Sequence, residues 1–270
     1  MWRKVLLMSI KIIVCVKQVI DPDAPVASLD IGEDNSVSSK EKRFVLNGYD
    51  ENAVEAALKI KDDVGAEITV LSVGSDFEND VMKKPISMGA DRLILIEDAM
   101  LLSADGFATA DLLGKAIEKI GEFDLILCGR QASDWDNAYV PLVLSEILNI
   151  ACVTLAQKID VNTNGVRIER VMPGGYQVVE TEFPALITVS NEIGSPRYPT
   201  IRGIMNAGRK QPDIWTSTEI GITTDSLNKQ SLIKNLSIPT SESDCEFLDS
   251  DSEEELGRLL VENLMGKKLI

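Results

Sequence analysis

Apolar runs and amphipathic segments alternate along the first half of this chain, and that order restricts the fold more than any other feature. The pattern predicts strands at Ile10–Lys17, Ala66–Gly74, Asp91–Glu97 and Asp124–Cys128. It predicts helices between them, at Asp50–Lys61, Asp76–Met88 and Ser103–Ile120. Strand–helix alternation of this kind is typical of a parallel, doubly wound α/β sheet.

The pattern changes after Cys152. Short runs separated by turn residues predict antiparallel hairpins added to the sheet, at Gln157–Asp160, Gly165–Val171 and Tyr176–Thr181. A further strand is predicted at Phe183–Ser190 and a short helix at Thr200–Arg209. We therefore expect one α/β domain over residues 1–222, within which residues 1–9 form an N-terminal extension.

The last part of the chain is polar from Thr223 onward. It contains an acidic stretch at Glu242–Glu255 and an amphipathic helix at Glu253–Met265. Because a polar tract with one helix has little apolar surface to bury on its own domain, we expect residues 223–270 to be an arm that grips another subunit. A frayed C-terminal tail is the alternative interpretation.

The charge balance restricts the partners of the chain. Its 270 residues carry a formal net charge of −16, which repels nucleic acid and anionic membrane surfaces. No apolar stretch reaches the ~18 residues that a membrane span requires. We therefore expect neither nucleic-acid binding nor membrane insertion.

The residue types present restrict the chemistry. The sequence contains no histidine, which removes the commonest general base and metal ligand. Its four cysteines (Cys15, Cys128, Cys152 and Cys245) form no CxxC pair, and three of them lie in apolar, strand-like runs. We expect neither catalytic residues nor a metal site, and the cysteine usage fits a reducing cytoplasm without disulfides.

The segment Phe123–Pro141, FDLILCGRQASDWDNAYVP, predicts a strand, a polar loop and the start of a helix. This arrangement presents backbone N–H groups and a helix N-terminus to a phosphate. The loop contains neither GxGxxG nor a Walker lysine, so the dehydrogenase and P-loop motifs are absent. An ordinary strand-to-helix turn remains the alternative.

Four segments in order resemble the β subunit of electron transfer flavoproteins. They are IIVCVKQVIDPD at Ile12–Asp23, VLNGYDENAVEAALKIKD at Val45–Asp62, GRQASDWD at Gly129–Asp136 and FPALITVSNEIGSPRYPTIRGIMNAG at Phe183–Gly208. The similarity runs from about Ile10 to Gly221. The segments DLILCG and GSPRYPTIRGIM also resemble the branch of the family that is linked to carnitine metabolism and nitrogen fixation.

The resemblance implies an electron carrier rather than a stand-alone catalyst. It implies a heterodimer with an α subunit that binds FAD, and electron transfer between dehydrogenases, such as acyl-CoA dehydrogenases, and a downstream acceptor. One alternative is a bifurcating β subunit whose own FAD is reduced by NADH. Another is a nucleotide-binding protein of the universal-stress type, which would be a homodimer without flavin.

The resemblance also implies a crevice at the carboxyl ends of the strands that holds AMP in simple carriers and a second FAD in bifurcating members. Asn47 would read the base or ribose there, or alternatively form an Asx turn, and Val73 with Gly74 would allow close backbone approach. The predicted crevice residues are Cys15, Lys17, Asn47, Gly48, Tyr49, Asp50, Val73, Gly74, Gly129, Arg130, Gln131, Ala132, Ser133, Asp134, Trp135, Asp136, Asn137, Ala138, Tyr139 and Val140.

Some residues of the crevice segments depart from the family pattern. Tyr139 and Pro141 stand where relatives have an amide and a glycine, and a proline donates no N–H, so we expect weaker nucleotide binding or an empty crevice. Pro22 replaces a tyrosine that faces the partner's flavin in some relatives. Asp134 and Asp136 are interpreted as helix-capping residues rather than as a metal or acid–base site.

Predictions are also made for four single residues. Trp135 would stack on an adenine or fill a subunit interface. Ile193 lies where the family presents an exposed aliphatic anchor to its dehydrogenase, so we expect partner docking there. Arg197, like Arg202, is interpreted as a structural or subunit-contact charge.

Overall fold

The computed structural model of the protein describes residues 9–223, 227, 230–238 and 245–270. The chain divides into two compact units, Met1–Asn235 and Leu236–Ile270. Residues 1–8 of the predicted extension, and residues 242–244 of the acidic stretch, lie outside the described part. The first unit extends past the predicted boundary at residue 222, because the backbone N–H groups of Gln230 and Ser231 both donate to Asp105 at 2.7 Å.

The first unit is built on one large sheet. Its described strands are β1 (Ile10–Cys15), β2 (Gln18–Ile20), β3 (Leu29–Ile31), β4 (Val37–Ser39), β5 (Phe44–Leu46), β6 (Ala66–Gly74), β7 (Arg92–Glu97), β8 (Leu125–Gly129), β9 (Ala151–Val161), β10 (Gly165–Met172), β11 (Gly175–Glu182), β12 (Ala185–Val189) and β13 (Asp213–Trp215). Nine of these strands form the main sheet in the order β11-β10-β9-β12-β8-β1-β6-β7-β13. The strands β2 and β5 pair separately, as do β3 and β4.

The main sheet is parallel from β9 to β13, and β10 and β11 continue it as antiparallel strands. The predicted doubly wound α/β fold with added hairpins is therefore confirmed. Strand β1 lies between β6, which follows it in the chain, and β8, which comes later. The chain thus winds outward in both directions from β1 and β8, which is the arrangement that opens a ligand crevice at the strand ends.

Helices cover both faces of the sheet. The described helices of the chain are α1 (Gly48–Val64), α2 (Asn79–Met82), α3 (Lys84–Met88), α4 (Gly106–Ile120), α5 (Val140–Ile147), α6 (Ile201–Arg209) and α7 (Glu253–Gly266). On one face, Val54 and Leu58 of α1 pack in a buried apolar cluster, and on the other face Leu112 and Ile117 of α4 do the same. Burial of these side chains on both faces stabilises the sheet, at about 1.5–3 kcal/mol for each fully buried aliphatic side chain.

Two predicted helices differ from the structure in their bounds. The segment Asp76–Met88 forms the short helices α2 and α3 instead of one helix, because Pro85 has no N–H to continue the hydrogen-bond ladder of α2. Helix α4 begins at Gly106, after a 3₁₀ turn at Ala99–Ser103, because the carboxylate of Asp105 accepts the N–H of Ala108 and caps it there.

Candidate functional site: a crevice at the carboxyl ends of the central strands

The predicted crevice residues collect where β8, β1 and β6 end side by side. Cys15 and Cys128 lie directly opposite each other in the register of β1 and β8, and both are buried. Burial and a hydrogen bond with Cys15 raise the pKa of the Cys128 thiol well above its usual range, so this thiol stays neutral. These two cysteines are therefore buried and uncharged at the ends of the two strands, and the predicted crevice residues continue from them.

The start of α1 holds two of these walls together. The carboxylate of Asp50 is buried and accepts the backbone N–H of Lys17 at 2.8 Å and that of Gly129 at 3.1 Å. A methyl group on Gly129 would lie 2.7 Å from the carbonyl carbon of Tyr49 and closer still to Asp50, so only glycine fits there. The ends of β1 and β8 are thus joined through one carboxylate.

Asn47 holds the loop that follows Gly129. Its Nδ2 donates to the carbonyl oxygen of Gln131 at 2.9 Å, and its Oδ1 accepts the N–H of Ser133 at 3.2 Å. Its side chain makes no capping bond to α1. The Asx turn weighed for Asn47 is therefore not formed, and its amide positions the crevice loop.

The two loop aspartates are engaged by side chains rather than by a helix. Lys17 Nζ donates to Asp134 at 2.5 Å, and Gln131 Nε2 donates to Asp136 at 2.6 Å. Helix α5 begins after Tyr139 without a side-chain cap. The prediction that Asp134 and Asp136 cap this helix is wrong, because their carboxylates are already used to close the loop.

The backbone before α5 has a conformation that suits an anion. Asp136 and Ala138 both adopt φ of 50°, and Tyr139 follows in the right-handed region. A left-handed residue followed by a right-handed one turns successive N–H groups toward the same point, which is a recurrent anion-binding arrangement called a nest. Left-handed backbone costs a non-glycine residue roughly 1–2 kcal/mol, and such strain is concentrated at functional sites.

Two polar atoms of the loop are buried without a hydrogen-bond partner in the described part of the chain: Ser133 Oγ and Arg130 Nε. The Arg130 guanidinium lies 5.0 Å from the centre of the Tyr49 ring. A buried hydroxyl and a buried guanidinium N–H without partners favour a ligand that offers hydrogen-bond acceptors. A nucleotide with a phosphate offers such acceptors.

Aromatic residues border the loop. The side chains of Trp135 and Tyr139 are both about half exposed. The Tyr139 ring lies against Gly106 at the start of α4, where a methyl group on the glycine would come within 2.9 Å of it. Pro141 is buried in the first turn of α5, as its lack of an N–H allows. The remaining predicted crevice residues of this segment are Ala132 and Asn137 in the loop and Val140 at the start of α5.

The end of β6 reaches the same region through a residue that the sequence analysis missed. Gln18 donates to the carbonyl oxygen of Asp76 at 3.2 Å and accepts the N–H of Glu78 at 2.7 Å. It thereby links the chain after Lys17 to the loop after Val73 and Gly74. The sequence offered one indication that Gln18 belongs to the site. Gln18 follows Lys17 directly, at the end of a predicted buried strand. Gly48 lies beside Asn47 in the first turn of α1.

The expected exposed anchor at Ile193 is wrong for this structure. Its side chain is 7% exposed and packs in the same apolar cluster as Val54, and its carbonyl oxygen accepts from Lys59 Nζ at 2.6 Å. The short 3₁₀ turn at Asn191–Ile193 points this side chain inward, beneath the following segment. That segment is exposed instead, with Tyr198 94% and Ile201 81% accessible.

The interpretation of Arg197 as a structural charge is confirmed within the chain. Its guanidinium donates to Glu55 at 2.8 Å and to Asp62 at 2.9 Å, which fixes the segment after Ile193 against α1. These contacts raise its pKa, so Arg197 stays charged at any pH at which the fold persists.

Among the described helices, none is both long and apolar enough to cross a membrane.

A family model described as the electron transfer flavoprotein domain matches residues 35–220, which includes α1, the crevice loop and α6. The chain belongs to the electron transfer flavoprotein family.

Relatives in this family match between 78% and 96% of this chain. Electron transfer flavoprotein subunit beta of Megasphaera elsdenii is 34% identical over 276 residues, covering 96% of this chain and 100% of the relative. The caffeyl-CoA reductase-Etf complex subunit CarD of Acetobacterium woodii is 31% identical over 265 residues, with the same coverage. Protein FixA of Azorhizobium caulinodans is 32% identical over 218 residues, covering 78% of this chain and 76% of the relative. The predicted resemblance to electron transfer flavoproteins is therefore confirmed.

Proposed function

We propose that this protein is the β subunit of an electron transfer flavoprotein. It pairs with an α subunit that binds FAD, forms one wall beside that flavin, and serves electron transfer between a dehydrogenase and a downstream acceptor. The similarity to a β subunit over 96% of this chain and 100% of the relative carries this proposal. The sequence has no histidine, and electron transfer requires proximity and a tuned potential rather than a general base.

The crevice holds an adenine nucleotide, and we take AMP as its occupant. Its phosphate binds the N–H groups around Ala138 and Tyr139, where the nest lies. Ser133 Oγ and Arg130 Nε, which are buried without partners, supply further hydrogen bonds. Bound AMP has no redox chemistry and stabilises the subunit, whereas the FAD on the α subunit supplies the electron transfer.

A second candidate is a β subunit of the bifurcating kind. Its crevice would hold a second FAD that accepts hydride from NADH, which would make this chain a direct redox participant. The observation that favours it is the 31% identity, over the whole relative, to a subunit of a caffeyl-CoA reductase-Etf complex. A nucleotide-binding protein of the universal-stress type receives no such support, because the similarity extends through Phe183–Gly208.

The dehydrogenase docks on the exposed segment that follows Ile193. Helix α6 buries Ala207 against the domain and leaves Ile201, Ile204 and Met205 exposed on its other side. A contiguous exposed apolar surface of this kind is typical of a protein-interaction site. Arg202 and Arg209 on α6 add local positive charge to a chain of net charge −16, which suits a partner with an acidic rim.

The decisive experiment is nucleotide analysis of the purified heterodimer. The chain is co-expressed with the α subunit from the neighbouring gene, and the released nucleotides are quantified after denaturation. We expect a yellow heterodimer with one FAD and less than one AMP, because Pro141 lacks an N–H that relatives have. Two FAD per heterodimer would favour the bifurcating candidate, and a colourless homodimer would overturn the proposed function.

A matched variant tests the departures at Tyr139 and Pro141. Tyr139→Gln with Pro141→Gly restores the residue types of relatives and should tighten AMP binding about ten- to a hundredfold. One regained donor to a charged phosphate contributes roughly 1.5–3 kcal/mol. Stoichiometric AMP that is held equally tightly by both proteins would contradict this expectation.

A further inference from the structure

Three residues, Lys17, Asn47 and Asp50, fix the crevice loop through polar contacts. Asp50 accepts the N–H of Gly129 at 3.1 Å, and Asn47, one helical turn earlier, binds Gln131 and Ser133. The side chain of Lys17 forms an ion pair with Asp134 of the loop. The backbone N–H of Lys17 donates to Asp50 at 2.8 Å. Asp50 thus accepts hydrogen bonds from both the β1 end and the β8 end through one carboxylate.

Asp50 is shielded from solvent and has no ion-pair partner in the described part of the chain. The side chain is 6% exposed. The charged and titratable groups around it are Lys17 after β1, the thiols of Cys15 and Cys128 in the two strands, and Arg130 with Tyr49. Lys17 directs its ammonium to Asp134, and the Arg130 guanidinium stacks on the Tyr49 ring. No described cation forms an ion pair with Asp50, and its charge is stabilised by Asn47, by the two backbone N–H groups and, least of these, by the more distant positive charge of Lys17.

We propose that Asp50 is a positioning residue that makes nucleotide binding in the crevice depend on its protonation. Its ionised carboxylate accepts both N–H groups and so holds the loop Gly129–Asn137 in its binding conformation. A neutral carboxyl group carries a proton on one oxygen, so one of the two N–H groups loses its acceptor and the loop loosens. This inference rests on the proposed nucleotide site, and it adds a regulation that the proposed function does not contain.

The titration falls in the neutral range. Burial raises the pKa of Asp50 to about 7, against the opposing effects of Asn47 and of the N–H groups of Lys17 and Gly129. Because the ionised form favours binding, the affinity should rise as pH increases through 7 and fall below it. A nucleotide that prefers ionised Asp50 must also release a fraction of a proton when it binds near neutral pH.

The test measures the dissociation constant of AMP from the nucleotide-free heterodimer between pH 6 and pH 8 by titration calorimetry. Asp50→Asn presents an amide N–H to one of the two backbone donors, as the neutral acid does, so it should bind AMP weakly at every pH. We expect the wild-type affinity to rise about tenfold more than that of Asp50→Asn over this range. The phosphate of AMP, with a pKa of about 6, titrates equally in both proteins and cancels.

Asp124→Asn is the matched control. The Asp124 carboxylate accepts the N–H of Lys11 at 2.8 Å, so it joins the same two strands at their opposite ends. This variant should keep the wild-type pH dependence even if it lowers stability. A loss of pH dependence in Asp124→Asn would show that any weakening of the strand pair has this effect, and would overturn the specific role of Asp50.

Two further measurements separate this inference from the nucleotide site itself. Without nucleotide, amide exchange of Gln131–Asn137 at pH 8 should be faster in Asp50→Asn than in wild type, even if AMP does not bind at all. Calorimetry in buffers of different ionisation enthalpy should show that wild type releases about half a proton more per AMP at pH 7 than Asp50→Asn does. Equal exchange in the two proteins, or equal proton release from them, would overturn the proposal.

Discussion

Single residues fix the shape of the crevice loop. The carboxylate of Asp50 and the amide of Asn47 are both buried, and each spans two backbone segments. A buried polar side chain costs free energy unless its hydrogen bonds are made, so these contacts fix one loop conformation instead of several. The sequence resemblance identified both residues, but assigned them to ligand contact, since hydrogen bonds within a loop leave no pattern in the sequence.

Gly129 offers a prediction at this scale. Gly129→Ala should destabilise the heterodimer, because the new methyl group would overlap the Tyr49 backbone and the Asp50 carboxylate. Overpacking of this kind costs about 1–3 kcal/mol, which corresponds to roughly 2–12 °C in unfolding temperature. Differential scanning calorimetry of the heterodimer measures it. Gly175→Ala is the matched control, since nothing lies within 4 Å of its added methyl, and equal unfolding temperatures for the two variants would contradict the expected overlap.

At the scale of elements, the sequence predicted most strands of the main sheet and the positions of most helices between them. Strand β6 and helix α7 fall within one residue of their predicted bounds, because strong apolar periodicity and a clear cap define them. The short strands β2 to β5 and β13 were missed, since three-residue strands carry too little periodicity. The break between α2 and α3 followed from Pro85, which the apolar pattern around it concealed.

The inward position of Ile193 could not be predicted from its neighbours. A turn with Gly194 and Pro196 is equally compatible with an exposed or a buried side chain, and only tertiary packing against α1 decides between them. The exposed apolar side of α6 is readable, however, because Ile201, Ile204 and Met205 recur at helical spacing. The pattern gives the apolar side of the helix, but the packing of Gly203 and Ala207 determines that this side faces solvent.

Helix α6 carries the second prediction. Ile201→Asp should slow electron transfer with the dehydrogenase about thirtyfold at limiting partner concentration, since an apolar anchor contributes ~2 kcal/mol to docking. Flavin content and reduction by a small dye should not change, because the side chain is exposed and remote from the domain core. Stopped-flow kinetics with the purified partner measures both rates.

Two variants make that result interpretable. Ile214→Asp places the same change at another exposed isoleucine, on β13, and should leave transfer unaffected. Ile193→Asp should instead lower the unfolding temperature, because its side chain is buried. Normal kinetics in Ile201→Asp would show that the dehydrogenase uses another surface.

At the scale of the whole molecule, the chain consists of a complete α/β unit and a smaller C-terminal one. Within the smaller unit, α7 begins at a Ser252 cap and binds Glu246 through Lys267 at 2.7 Å. None of its residues is buried, although Leu260 and Met265 are apolar. A helix of 14 residues is marginal in water by itself, so we expect contact with a partner subunit to stabilise α7 through its apolar residues. The similarity to full-length β subunits includes this region, which supports the α subunit as that partner.

Removal of the smaller unit, Leu236–Ile270, gives the last prediction. A chain ending at Asn235 should fold, because the larger unit retains both apolar clusters, but it should not form a stable heterodimer with the α subunit. Within the full chain, Leu260→Glu should weaken the heterodimer by about thirtyfold, as expected for a lost apolar anchor of ~2 kcal/mol. Glu262→Gln, on the polar side where Glu262 pairs with Arg258, should have little effect because exposed ion pairs contribute at most about 1 kcal/mol. Sedimentation velocity of the co-expressed subunits measures all three. A truncated chain that still forms the yellow heterodimer would show that the smaller unit does not grip the α subunit, and that the larger unit alone supplies the interface.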